Sequence, residues 1–181
     1  MRLPVIITSG LPGSGKSTWA RSMADKGYYH ASTDVIRKGL FGSFVDIYNS
    51  TQTNTVWELF EMEINAECMK ITCGKSENIG IVADCMGIYL HMVRAVSSRT
   101  VDFMREEYGI LADMYIRFFP VLPEVCRMNI ERAIQSGEDR ADIRVDALLK
   151  YYEVFSELKS TEGIALLGSF GISEWVDTHT G

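Results

Sequence analysis

Residues 10–17 read GLPGSGKS, a glycine-rich segment that ends in a lysine and a serine. The pattern G-x-x-x-x-G-K followed by Ser or Thr is typical of loops that hold nucleotide phosphates. Glycines let successive backbone N–H groups turn toward one anion, and the helix that follows points its amino end at the same spot. Lys16 is then expected to reach the β- and γ-phosphates, and the Ser17 hydroxyl to ligate Mg²⁺. The residues predicted to hold ATP are Gly13, Ser14, Gly15, Lys16, Ser17 and Thr18.

Asp34 and Arg37 follow the second predicted strand, Tyr28–Ser32. Residues just past the carboxyl ends of parallel strands line the ligand crevice, so Asp34 is expected to face the phosphate loop. A carboxylate there can accept the proton of an attacking hydroxyl group, and an arginine one helical turn away can hold an anionic acceptor. The alternative is that Asp34 only caps the helix that begins near Val35 and that Arg37 is a solvated charge.

Asp84 ends a third apolar run, Ile79–Ala83. An apolar strand that ends in Asp is the Walker-B pattern, in which the carboxylate lies near Mg²⁺ and the hydroxyl of the phosphate loop. We therefore predict that Asp84 serves the metal and substrate site together with Ser17. An ordinary aspartate at the end of a strand is the alternative.

Four arginines surround the polar stretch Ser136–Asp142. A lid carrying arginines, at about residues 132–144, would neutralise charge that develops during phosphoryl transfer, and Arg132 is its predicted catalytic residue. Acidic residues alternate with these arginines, so a solvated, salt-bridged helix face is the alternative. The four arginines are Arg127, Arg132, Arg140 and Arg144.

Three other polar residues stand apart from these patterns. Arg94 lies on a predicted helix, Tyr89–Glu107, and is included as a substrate contact. His30 and His91 have no visible partner in the sequence and are predicted to be structural or exposed.

The chemistry-bearing residues sit at the ends of alternating strands and helices. Apolar runs predict strands at Leu3–Thr8, Tyr28–Ser32, Ile79–Ala83, Met114–Phe119 and Ile172–Val176. Helical periodicity and helix-start signals predict helices over Ser17–Lys26, Val35–Leu40, Thr51–Cys73, Tyr89–Glu107, Pro123–Gln135 and Val145–Leu158. This alternation predicts an α/β three-layer sandwich of the P-loop kinase-like type, with a mostly parallel sheet, in a single domain over residues 1–181.

Composition limits the other classes of function. No apolar run approaches the roughly 18 residues of a membrane helix, and the four cysteines lack CxxC spacing, so we expect a cytoplasmic protein with reduced thiols. The net charge of −6 argues against broad wrapping of nucleic acid, although it permits a local pocket that grips one phosphate.

Taken together, these segments resemble the kinase domain of phage-type polynucleotide 5′-kinases. The resemblance is carried by Gly10–Arg21, by the D-x-x-R element Asp34–Arg37, by Asp84, and by the N-x-x-R element Asn129–Arg132. It implies that Asp34 is the general base for a 5′-hydroxyl and that Arg37 binds the neighbouring phosphate of the substrate. It also implies that Arg132 contacts the phosphates of ATP.

Two other functions remain open. Where that family continues D-x-T-N after its third strand, this chain has Asp84-Cys85-Met86-Gly87, which favours a kinase of a small molecule or of a modified nucleoside or base. A nucleotide-binding module without transfer activity is the third hypothesis. The N/T-K-x-D guanine signature of GTPase switches is not found in the sequence.

Overall fold

A computed structural model describes residues 2–42 and 50–177. Five parallel strands form one sheet in the order β2-β3-β1-β4-β5. The strands are β1 Arg2–Ser9, β2 Tyr28–Ser32, β3 Gly80–Asp84, β4 Leu111–Phe118 and β5 Ile172–Glu174. The described helices are α1 Lys16–Ala24, α2 Thr33–Phe41, α3 Ser50–Thr72, α4 Leu90–Tyr108, α5 Pro123–Gln135, α6 Val145–Leu158 and α7 Thr161–Ser169.

Both faces of the sheet are covered, which explains why β1 and β3 are apolar over most of their length without strict alternation. On β1, Leu3, Val5 and Ile7 belong to a large core that also contains side chains of α3 to α7. Ile6 points to the opposite face and packs with Ala20 of α1 in a smaller cluster. Successive side chains of a strand point to opposite faces, so a strand buried on both sides must be apolar throughout. The predicted three-layer α/β architecture is therefore confirmed, and every strand pair is parallel.

The start of α2 differs from the prediction. Ser32, not Asp34, is the N-cap residue, and its hydroxyl accepts a hydrogen bond from the N–H of Val35. The helix begins at Thr33, so Asp34 lies within its first turn. The capping role predicted for Asp34 is wrong. Its carboxylate does not cap α2 and is available to a substrate or a metal ion.

Helix α7 was not predicted from the sequence. It is short and contains Gly163 and Gly168, which weaken a helical pattern. Ser160 nevertheless caps it, accepting a hydrogen bond from the N–H of Gly163 over 3.1 Å. In residues 2–42 and 50–177, no helix has both the length and the apolar character to cross a membrane.

Candidate active site

The phosphate loop connects β1 to α1 and has the backbone that the glycine pattern requires. Gly13 and Gly15 adopt positive φ angles of 84° and 92°, which side-chain-bearing residues rarely take. Gly15 is the N-cap of α1 and brings no capping side chain, so it leaves the first N–H groups of the helix unblocked by a side chain. Free N–H groups at a helix start and the positive end of the helix dipole suit an anion.

Helix α5 holds the loop from outside. A Cβ atom added to Gly13 would come within 2.5 Å of the carbonyl oxygen of Cys126, so only glycine fits there. Asn129 donates a hydrogen bond from Nδ2 to the carbonyl oxygen of Gly13 over 2.9 Å. The loop is thus fixed by contacts with a helix far along the chain.

Lys16 is buried against the same loop. Its Nζ donates hydrogen bonds to the carbonyl oxygens of Gly10 and Leu11 at 2.9 and 2.8 Å. Burial lowers the pKa of Lys16, and the negative charges of Asp84 and Asp34 act in the opposite direction. The predicted phosphate lysine, the predicted Walker-B aspartate and the predicted base therefore lie within electrostatic reach of one another.

Asp84 is almost completely buried at the end of β3, with 3% of its surface exposed. Its Oδ2 lies 3.0 Å from Nε2 of His30 on the neighbouring strand β2, and its Oδ1 lies 3.4 Å from the hydroxyl of Thr8. His30, for which the sequence shows no partner, therefore contacts the Asp84 carboxylate in the structure. His91, by contrast, is exposed and its ring lies near that of Tyr89.

Asp34 faces this group from α2. Its pKa is raised above the ordinary 3.8, first because neighbouring protein atoms displace water around the carboxyl and second because Asp84 is negative. The positive charges of Lys16, Arg140 and Arg37 oppose that rise without cancelling it. Asp34 is nevertheless exposed by its accessible surface, so its desolvation is partial and an acceptor can reach it. A carboxylate with a raised pKa is a better base than an ordinary one.

Arg37 is not a solvated charge. Only 8% of its surface is exposed, and its Nη1 is buried with no hydrogen-bond partner in the part of the chain that the structure describes. Its charge acts on Asp34, one turn away on α2. A buried guanidinium with an unused N–H costs free energy unless an anion completes it.

The arginines of the predicted lid have separate roles. Arg127 is held by Glu131 and Asp142 and donates to the carbonyl oxygen of Ile143 over 2.9 Å, so it anchors the segment. Arg140 is the lid arginine whose charge acts on Asp34. Arg132 lies on an exposed part of α5 and is not among the charges with the largest effect on Asp34.

An ion pair joins the predicted lid segment to α2, the helix that carries the predicted base. Lys38 of α2 lies 3.1 Å from Asp139, the residue before Arg140. This pair orients the segment toward α2. Sequence reasoning gave Arg140 less weight than Arg132, because the path of a segment without regular structure cannot be deduced from its charge pattern.

Arg94 lies apart from this group. Its guanidinium stacks over the ring of Phe170, 4.6 Å from the ring centroid. Both residues line an open cavity of about 450 Å³ together with other residues of α4, and none of its lining residues belongs to the phosphate loop or α2. The structure does not bring Arg94 together with the other predicted site residues.

The donor atoms near the loop suit Mg²⁺. Ser17 supplies a half-buried hydroxyl, and Asp84, whose charge acts on the adjacent Lys16, supplies a carboxylate. Such hard oxygen donors match a small divalent cation that keeps waters and substrate phosphates as its other ligands. Over the described ranges, no cluster of three or more His, Cys, Asp or Glu side chains could hold a metal by itself. A shared protein–nucleotide metal site fits this arrangement.

Comparisons with known proteins support the same fold. A family model described as an AAA domain matches residues 5–73, which include the phosphate loop, Asp34 and Arg37 but not Asp84. No curated protein matches the sequence.

Solved structures resemble the chain at low sequence identity. A chain of the Pnkp1/Rnl/Hen1 complex is 19% identical to this protein, with a TM-score of 0.52. The match covers 67% of this protein and only 37% of that longer chain. A candidate kinase from Chloroflexus aurantiacus is 15% identical, with a TM-score of 0.56 over 81% of this chain and 74% of its own. Shikimate kinase from Acinetobacter baumannii, in complex with shikimate, is 15% identical, with a TM-score of 0.50 over 99% of this chain and 86% of its own. These similarities establish the P-loop kinase-like fold.

Proposed function

We propose that this chain is a cytoplasmic, ATP-dependent kinase that transfers the γ-phosphoryl group to a hydroxyl, and that this hydroxyl is the 5′-OH end of DNA or RNA. The observation that carries the proposal is the placement of Asp34. Its carboxylate, with a raised pKa, lies within electrostatic reach of Lys16 and Asp84 and beside Arg37, whose Nη1 has no partner among the described residues. A base, a phosphate-binding lysine and an anion site in one crevice are what phosphoryl transfer needs.

The reaction follows from these groups. The acceptor oxygen forms a bond to the γ-phosphorus while the bond from that phosphorus to the β–γ bridging oxygen breaks, and ADP leaves. Asp34 takes the proton of the acceptor hydroxyl. Lys16 and the N–H groups of the phosphate loop hold the phosphates, and Arg140 and Arg132 supply positive charge from the lid side. Mg²⁺, held by Ser17 and Asp84, would neutralise charge on the phosphates.

Arg37 is the reason for preferring a phosphate-bearing acceptor. Its buried Nη1 has no partner among the described residues, and a phosphate 3′ of the terminal nucleoside would supply one. Recognition by Arg37 requires one phosphate of the acceptor and not a series of phosphates along the strand. A protein with a net charge of −6 can therefore bind such an acceptor. One buried arginine can select a phosphorylated acceptor without a basic surface.

A small hydroxyl compound is the second candidate acceptor. The loop after Asp84 begins with Cys85, Met86 and Gly87, and these three residues supply no hydroxyl or amide side chain for a nucleotide. Cys85 is buried, and its N–H donates to the Thr8 hydroxyl over 3.1 Å. This loop binds back onto β1, which favours an acceptor recognised elsewhere in the crevice.

The test is transfer from γ-labelled ATP to a panel of acceptors: 5′-OH DNA, 5′-OH RNA, the same oligonucleotides with a 5′-phosphate, nucleosides and aminoglycosides. We expect label on the 5′-OH oligonucleotides and none on those already phosphorylated. Asp34→Asn should lower the transfer rate by roughly 10²- to 10⁴-fold and keep ATP affinity within a few-fold. Arg37→Gln should raise KM for oligonucleotides far more than for a nucleoside.

Each alternative gives a different result. Label on a nucleoside or an aminoglycoside alone would replace the nucleic acid acceptor by a small molecule. ATP binding with no transfer to any acceptor would leave a nucleotide-binding module. Full transfer activity in Asp34→Asn would remove Asp34 as the base.

A further inference from the structure

We propose that His30 is a positioning residue that fixes the carboxylate of Asp84 for the Mg²⁺ side of the nucleotide site. This inference rests on the proposed function, because it assigns His30 to the same site. No motif in the sequence marks His30, and it is the contact across two strands that reveals it.

The contact is short and largely removed from solvent. His30 Nε2 lies 3.0 Å from Asp84 Oδ2, and the two side chains are 17% and 4% exposed. On the β2–β3 ladder the register partner of Asp84 is Ser32, two residues past His30. Residues i and i+2 of a strand point to the same face, so the ring of His30 reaches diagonally along that face to the carboxylate.

The other carboxylate oxygen has only a weak contact. The Thr8 hydroxyl has a single hydrogen, and its 2.8 Å contact to the carbonyl oxygen of Cys85 is much shorter than its 3.4 Å contact to Asp84 Oδ1. That hydroxyl also accepts from the N–H of Cys85. Among the described residues, Oδ1 therefore has no short hydrogen bond and is the oxygen that can accept a ligand, while Oδ2 is held by His30.

The hydrogen-bond direction follows from the charges. An ionised carboxylate can only accept, so the Nε2 of His30 must carry the hydrogen that lies between them. Thr33 donates to the backbone carbonyl oxygen of Asp84 and not to its carboxylate. Among the described residues, His30 is thus the donor with a short hydrogen bond to the Asp84 side chain.

The position of the carboxylate matters because charged groups of the site surround it. Asp84 acts electrostatically on both Lys16 and Asp34. A carboxylate with one fixed and one open oxygen presents a defined ligand, whereas one free to turn would present either oxygen or neither. Partners that orient a metal ligand in this way are typically worth 10- to 100-fold in metal affinity or activity, as an order of magnitude.

The test compares His30→Leu, which removes the donor, with His30→Gln, which restores an N–H near the position of Nε2. Calorimetry measures ATP affinity with Mg²⁺ and with EDTA, and label transfer measures kcat and KM. The matched control is Tyr28→Phe, on the same face of β2; among the described residues, the side chains that contact the Asp84 carboxylate are those of His30 and Thr8, not that of Tyr28. Thermal unfolding of each variant separates folding from function.

We expect His30→Leu to lose roughly 10- to 100-fold in the Mg²⁺-dependent part of ATP affinity and in kcat. Its ATP affinity in EDTA should stay at the wild-type level, and His30→Gln should recover most of both losses. Tyr28→Phe should behave as wild type.

Unchanged Mg²⁺ dependence in a folded His30→Leu protein would overturn the inference. So would a His30→Gln protein that is stable and as defective as His30→Leu. The proposed function fails separately, if the wild-type protein binds Mg²⁺ and ATP but labels no acceptor. In that case the binding measurements would still decide the role of His30.

Discussion

Asn129 of α5 and Gly13 of the phosphate loop are joined by a hydrogen bond of 2.9 Å between residues 116 positions apart. Asn129 donates from its side-chain amide, and Gly13 accepts through its carbonyl oxygen. The bond holds the Gly13 carbonyl oxygen toward α5. The neighbouring N–H groups of the loop can then face an anion on the other side. It also connects the loop to the helix from which the lid segment begins.

We expect Asn129→Ala to weaken ATP binding about 3- to 10-fold, since a partly buried hydrogen bond contributes about 1 kcal/mol. Asn129→Asp should lose more, because it places a negative charge near both the Gly13 carbonyl and the phosphates. Calorimetric titration with ATP measures both variants. Gln135→Ala, at the exposed end of the same helix, is the control. Wild-type affinity in Asn129→Ala would show that the bond does not support the loop.

Gly13 and Gly15 offer a matched pair of substitutions. Both have positive φ angles, so alanine at either site costs about 1–2 kcal/mol in backbone strain. An added Cβ at Gly15 meets nothing within 4 Å, whereas at Gly13 it would lie 2.5 Å from the Cys126 carbonyl oxygen. Gly13→Ala should therefore unfold at a lower denaturant concentration than Gly15→Ala. Equal midpoints in denaturant titrations would mean that α5 does not press on the loop.

The order of strands and helices could be predicted because it depends on local patterns. The apolar runs, the glycine loop and Pro123 at the start of α5 each act within a few residues. The N-cap residue of α2 was predicted wrongly, and the reason for that error is also local. Ser32, Thr33 and Asp34 are all good N-cap residues, and the end of β2 decides which one is used.

The parts of the site that could not be predicted depend on distant neighbours. His30 and Asp84 are 54 residues apart and meet only because β2 and β3 lie side by side. Arg140 acts on Asp34 because the segment between α5 and α6 runs toward α2, where Lys38 meets Asp139. No periodicity in the sequence carries that information.

Asp34→Asn is expected to trade activity for stability. The folded-state pKa of Asp34 is raised, so ionisation of this carboxyl disfavours the folded state, and the cost grows as the pH rises from the ordinary value of 3.8 through the raised one. Asparagine removes that cost. We expect a higher Tm than wild type at pH 7 and a transfer rate lower by roughly 10²- to 10⁴-fold.

The pH dependence of Tm provides the check. The advantage of Asp34→Asn should shrink as the pH falls toward 4, because the wild-type carboxyl then becomes neutral too. A Tm below that of wild type at pH 7 would mean that the positive neighbours of Asp34 outweigh its desolvation.

The pH profile of the reaction can distinguish the role of Arg140 from that of Arg132. The positive charge of Arg140 lowers the pKa of Asp34, and Arg132 is not among the charges with the largest effect on it. The acid limb of kcat/KM reports the ionisation of the base in the free enzyme. Removing Arg140 raises the pKa of Asp34 further, so a higher pH is needed to ionise it.

We therefore expect Arg140→Ala to shift the acid limb of kcat/KM to higher pH and to lower kcat by roughly 10²-fold through the lost positive charge. Arg132→Ala should leave the limb in place, even if it lowers kcat. Arg144→Ala is the control, since Arg144 is exposed and paired with Asp146. The measurement is label transfer at saturating and limiting acceptor across the pH range. An unmoved limb in Arg140→Ala, or an equal shift in Arg132→Ala, would mean that Arg140 does not face the base.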